Sequence, residues 1–228
     1  MMTANQSGFK TALRVLIPLL VIPALVFFGA FLFSAQRYLI ISLGVAILSL
    51  LLFYTGIEEK KIGSRRMVLT AIFTALTVVS RFIPVFKPVT ALTVIAAVYL
   101  GAESGFLVGS LSALISNIWF GQGPWTPFQM LSWGLIGLFA GYLHEPLKKH
   151  RWALLLYGVL AGVFFSFIMD IWTVLWYNGS FIWELYLAAL LSAIPYTVIY
   201  AVSNFVFLFF LHRPMGQKLE RVKIKYGV

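Results

Sequence analysis

The chain has 228 residues, of which 61% are hydrophobic and 11% charged, and its mean hydropathy is +0.94. Soluble domains carry about 25% charged residues, so this is the composition of a membrane protein. Cysteine is absent, which excludes disulfides, thiolate metal sites and cysteine nucleophiles together, and the net charge of +10 sits in short loops and at the ends of apolar runs, a mark of topology rather than of nucleic-acid binding.

Eight apolar runs follow one another at roughly 13–34, 38–54, 67–83, 89–101, 103–119, 127–143, 152–176 and 185–212. A spanning helix needs about 20 apolar residues, so the sequence predicts an all-α, multi-pass protein with eight spans, the fourth short. With the N-terminus inside, the inner segments carry Lys10, Arg14, Lys60, Lys61, Arg65, Arg66, Lys148, Lys149, Arg151, Arg213, Lys218, Arg221, Lys223 and Lys225, and the outer ones only Arg37, Arg81 and Lys87. Fourteen against three is a strong positive-inside bias. It places both termini in the cytoplasm of a cell whose membrane the chain crosses. A signal peptide ending near Ser34-Ala35 is the competing reading of the first run, which is longer than the usual h-region of about 7–15 residues. The polar stretch Thr55–Arg66 divides the chain into a helical pair over 1–60, which reads as an appendage, and a six-helix unit with a basic tail over 61–228.

Within that unit, Ala71 and Ala75 lie one turn apart, as do Gly105, Gly109 and Ala113, then Gly137 and Gly141, then Gly158, Gly162 and Ser166. Small residues at this spacing let helices approach closely in lipid. The stretch Asn117-Ile-Trp-Phe-Gly-Gln-Gly-Pro-Trp-Thr-Pro-Phe-Gln-Met-Leu-Ser-Trp133 must break the helix between Gly121 and Pro127, and in this topology the break faces out. A plain connector needs none of its aromatics. Trp119, Trp125, Trp133, Trp172, Trp176 and Trp183 fall on the outer side and only Trp152 on the inner, more than an interfacial belt requires. With Asn117, Gln122, Gln129 and Tyr177 they describe an outer cavity for a sizeable ligand with flat apolar faces and amide edges. Asp170 extends the Gly158–Ser166 series by a turn. At about 2.5–3.5 kcal/mol to insert, it needs a partner, either Arg81 or Lys87 in an ion pair, or the ligand. Ser192, Tyr196, Tyr200 and Asn204 form a polar stripe explained equally by interhelical hydrogen bonds and by ligand contact.

Missing chemistry narrows the class. His144, His150 and His212 all fall inside, so no histidine can serve the outer cavity, and no metal site is expected. There is no HExxH, no carboxylate pair and no P-loop, which argues against an enzyme and assigns any ATP-driven work to a partner. Neither a ring of like charges for a channel nor several intramembrane ionisable groups for ion coupling is present. A carrier that binds a solute outside and borrows its energy remains, with a membrane scaffold lacking a solute as the alternative.

Six hydrophobic helices, an AxxxA pair in the first of them and an outward aromatic cavity resemble the substrate-binding S component of energy-coupling factor (ECF) transporters, over about Met67 to Arg213. Phe120-Gly-Gln-Gly-Pro-Trp-Thr-Pro-Phe-Gln-Met130 with Trp133 resembles the cobalamin-uptake group of that family. The resemblance implies a subunit in a bacterial cytoplasmic membrane with no cofactor of its own and cobalamin as cargo. It also implies docking on a membrane coupling subunit through Ala71 and Ala75, and toppling driven by two cytoplasmic ATPases. With no histidine outside, the cobalt would keep its axial ligands. Another vitamin or a modified nucleobase is the nearest alternative cargo. The two extra N-terminal helices depart from the six-helix pattern.

Overall fold

The computed structural model describes residues 12–32, 38–60 and 64–226. Each of the eight apolar runs forms a helix over most of its described residues. The first forms α1, Ile22–Leu32, entered through a π-helical turn at Ile17–Val21 in which the Ile22 N–H reaches back to Ile17. Pro23, which lacks an N–H, follows at once, and the wider turn accommodates the missing donor. The others are α2, Tyr38–Lys60; α3, Ser64–Ser80; α4, Val89–Leu100; α5, Ala102–Phe120; α6, Thr126–Tyr142; the short α7, His144–Lys149; α8, Arg151–Asn178; and α9, Trp183–Tyr226. The spans Ala12–Ala30, Tyr38–Thr55, Arg151–Asn178 and Trp183–Val222 are long and apolar enough to cross a membrane, and Val89–Leu100 is a shorter apolar helix. The chain is a multi-pass membrane protein. The cleavage position weighed at Ser34-Ala35 lies outside the described residues.

Small residues set the core. A Cβ placed on Gly137 would lie 2.2 Å from the Gly105 carbonyl oxygen, and one on Gly109 equally close to that of Trp133. Backbone meets backbone, so α5 and α6 form the tightest pair in the bundle, with α4 entirely buried beside them. Gly158 and Gly162 let α9 close on α8 in the same way, facing Leu208 and Ala201. In contrast, Ala71 and Ala75 point out of the bundle on an exposed stripe of α3 with Val68, Ile72 and Val79.

The helices leave the bundle with two distinct ends. The Gly121–Pro127 turn marks one. At the other, Arg66 is buried and donates to Glu103 at 3.0 Å and Ser104 at 2.9 Å, with Arg14 3.8 Å from the same carboxylate. Also at that end, α9 runs on past Pro214. It presents Gly216 as a notch for the Tyr99 hydroxyl, while Glu220 pairs with Lys148 at 2.7 Å. The N-terminal pair read as an appendage packs on the rest of the chain: α2 lies against α5 and α6, with Ser110 Oγ donating to Ser49 Oγ at 3.1 Å. Hydroxyls in an apolar interior find each other, and these join the hairpin to the rest.

Candidate functional site

The helix break falls where glycine and proline require it. Gly121, with φ +96°, ends α5, and a tight turn from Gly123 to Thr126 leads into α6 with Pro127 in its first turn. Gln122 folds back along α5 and donates to the Leu114 carbonyl at 2.7 Å. Asn117 then ties the two helices, its amide donating to Thr126 Oγ1 and to Gln129 Oε1, both at 2.9 Å. The Thr126 hydroxyl donates in turn to Gln122 Oε1 at 3.1 Å.

Arg81, at the end of α3 and only 8% exposed, completes this network. Its guanidinium donates to Asn117 Oδ1 at 2.6 Å and to Ser116 Oγ, and lies over the rings of Phe120 at 4.9 Å and Trp133 at 5.2 Å. Trp133 stacks on Phe165, centroids 4.9 Å apart and 14° from parallel, and Tyr200 meets Phe165 edge-on at 5.3 Å. These groups border a cavity of about 450 Å³ whose walls include Arg81, Lys87, Gln129, Trp133, Phe165 and Tyr200. It opens beside the α3–α4 loop, where Val85 holds φ +62°, a strained conformation for a β-branched residue. Partial burial, and then the Arg81 guanidinium, lower the Lys87 ammonium from its ordinary 10.5. Among the described residues two cations and no carboxylate face this space, which therefore favours an acceptor-rich or anionic edge on a flat ligand.

The structure divides the residues expected around one large cavity. Arg81, Gln129 and Trp133 line the one just described, with Asn117 and Gln122 behind them as the hydrogen-bonded frame. Trp172 lies seven residues beyond Phe165 on α8, roughly 10 Å further along. There it meets Trp125 edge-on at 5.8 Å and stacks with Trp176 at 6.2 Å. Trp172 and Trp176 line a second cavity of about 230 Å³, enclosed by α1, the start of α2 and the prolines of the turn. Trp119, 62% exposed, packs against Phe82 on the outside, and Tyr177 is 81% exposed. Neither borders either cavity. The ion pair considered for Asp170 does not form among the described residues: Arg81 is committed to Asn117, and the stripe Gly158–Asp170 faces α9, where Ser166 bonds Thr197 at 2.6 Å. Asp170 itself is 8% exposed, and its Oδ2 has no partner among the described residues.

Sequence reasoning missed Phe165, Met169, Thr90 and Lys87 as cavity walls, and had Tyr196, Tyr200 and Asn204 only as an ambiguous stripe. The 450 Å³ cavity has no histidine in its walls. His212 and His144 sit at the far end, bonded to Tyr99 and the Gly141 carbonyl. A family model described as the ECF-type riboflavin transporter, S component, matches residues 61–219. No curated protein and no solved structure matches the chain.

Proposed function

Because the chain belongs to the family of ECF-type riboflavin transporter S components, we propose that it captures a flavin-class ligand in the Arg81–Trp133 cavity and hands it to an ATP-driven partner. S components are membrane-embedded substrate-binding subunits rather than enzymes. The observation that carries the ligand reading is the stacked Trp133–Phe165 pair with Arg81 held over it at 5.2 Å. Flat rings slide beside such aromatics, and the guanidinium and Lys87 meet ring carbonyls or nitrogens. Gln129, Thr90 and Asn204 supply partners for a hydroxylated chain. A cavity of about 450 Å³ lies in the lower part of the range for small-molecule sites, about 300–1,000 Å³, which suits a tricycle with a short side chain. The positive-inside bias turns this mouth outward and both termini inward. The exposed Ala71/Ala75 stripe supports docking on a membrane coupling subunit, with two ATPases beneath it.

Corrin is the second reading, favoured by the Gly121–Met130 string. Its bulk would require the two cavities to merge, with the turn displaced. Purified protein titrated with riboflavin should quench flavin fluorescence to a one-to-one end point, since indole and phenol rings in contact with the tricycle quench it. Protein purified with cobalamin and washed should carry no corrin absorbance. Stoichiometric corrin with no flavin quenching would reverse the choice of cargo, and neither signal would refute both.

A further inference from the structure

The N-terminal hairpin, α1 and α2, lies outside the matched stretch 61–219, yet it reaches the site-bearing helices at three depths. At the far end Arg14 approaches Glu103, and the Tyr142 hydroxyl donates to the Arg14 carbonyl at 3.5 Å. Half-way through, Ser49 accepts from Ser110. At the turn, the edge of Phe27 meets the buried ring of Phe128, centroids 5.6 Å apart and 84° between planes. This third contact differs from the others in what it touches. Phe128 stands in the first turn of α6 between Thr126 and Gln129, the two residues that receive the Asn117 amide, and Asn117 in turn receives Arg81. The same side of the turn is not close-packed: the 230 Å³ cavity lined by Gly29, Pro124, Pro127, Phe128 and Trp172 adjoins it. A ring beside a void has somewhere to go once its neighbour is removed.

We infer that Phe27 is a positioning residue for the ligand cavity, acting through Phe128 on the Gln129–Asn117–Arg81 network. With Phe27 present, Phe128 is held and the first turn of α6 presents Gln129 to the cavity. With it shortened, Phe128 relaxes into the adjoining void and Gln129 parts from Asn117. The affinity consequence rests on the proposed ligand site; the displacement does not.

Because the chain has no cysteine, Gln129→Cys in the full-length protein supplies a single thiol whose alkylation by a water-soluble maleimide reads the exposure of the first turn of α6, the bond to Asn117 being absent from every arm of that comparison. Adding Phe27→Ala should raise that rate by about threefold or more as the turn opens locally. Phe27→Tyr, which keeps the ring, should restore it, and Ser49→Ala, which loosens the hairpin elsewhere, should leave it unchanged. Equal rates with and without Phe27→Ala, or an equal rise with Ser49→Ala, would overturn the inference. If Phe27→Ala does not purify as a monodisperse protein, Phe27→Val takes its place with the same reading. In the Gln129 background Phe27→Ala should weaken riboflavin binding by about tenfold, the worth of one hydrogen bond. Failure of every version to bind riboflavin would refute the flavin assignment while leaving the thiol result standing.

Discussion

Replacing Arg81 by alanine tests the centre of the site. The side chain makes charge-assisted bonds to Asn117 and Ser116 and covers two aromatic rings. A hydrogen bond to a charged group contributes about 1.5–3 kcal/mol. If Arg81 meets an acceptor on the ligand, losing it should therefore weaken binding by roughly ten- to a hundredfold, at about 1.4 kcal/mol per decade. The protein should suffer too: Asn117 Oδ1 loses its donor in a buried setting, at about 1–3 kcal/mol. Arg81→Lys should fall between, because an ammonium retains the charge and one bond to Asn117 but not the planar face over Trp133. The assay is a flavin-fluorescence titration run beside thermal unfolding of the same detergent-solubilised samples. Riboflavin affinity unchanged in Arg81→Ala, with the fold intact, would refute the argument that this guanidinium recognises the ligand.

Two further outcomes follow from other parts of the bundle. Ala71→Trp should abolish uptake in cells that supply the coupling module while leaving ligand affinity within about twofold, since surface substitutions away from special features cost within about 0.5 kcal/mol; parallel loss of binding and uptake would contradict the assignment of that stripe to the partner. Glu103→Gln removes the carboxylate that Arg66 and Arg14 share. Breaking a buried pair by removing one member costs about 3–5 kcal/mol, so the variant should unfold at clearly lower temperature than wild type, and an unchanged melting curve would show that the cluster is not structural.

Composition, the run lengths of apolar residues and the placement of basic ones were enough to read an all-helical, multi-pass membrane protein, because hydropathy and charge act residue by residue along the chain. The break between Asn117 and Trp133 was equally legible, since Gly121, Pro124 and Pro127 constrain the backbone whatever surrounds them. So was the close approach at Gly105, Gly109, Gly137 and Gly162, where one helical face carries only small residues. The grouping of the aromatics was not. Trp133, Trp172 and Trp119 look alike in a linear string, yet one lines the 450 Å³ cavity, one backs the turn and one faces outward. Which side chain meets which depends on helix rotation and on what packs opposite, and those are properties of pairs of elements far apart in sequence. For the same reason only the tertiary structure revealed that Arg81 turns to Asn117 rather than to Asp170, that Glu103 holds two arginines, and that the N-terminal hairpin leans on the very turn that shapes the site. A single helix carries its own hydropathy, but a cavity belongs to the helices that enclose it.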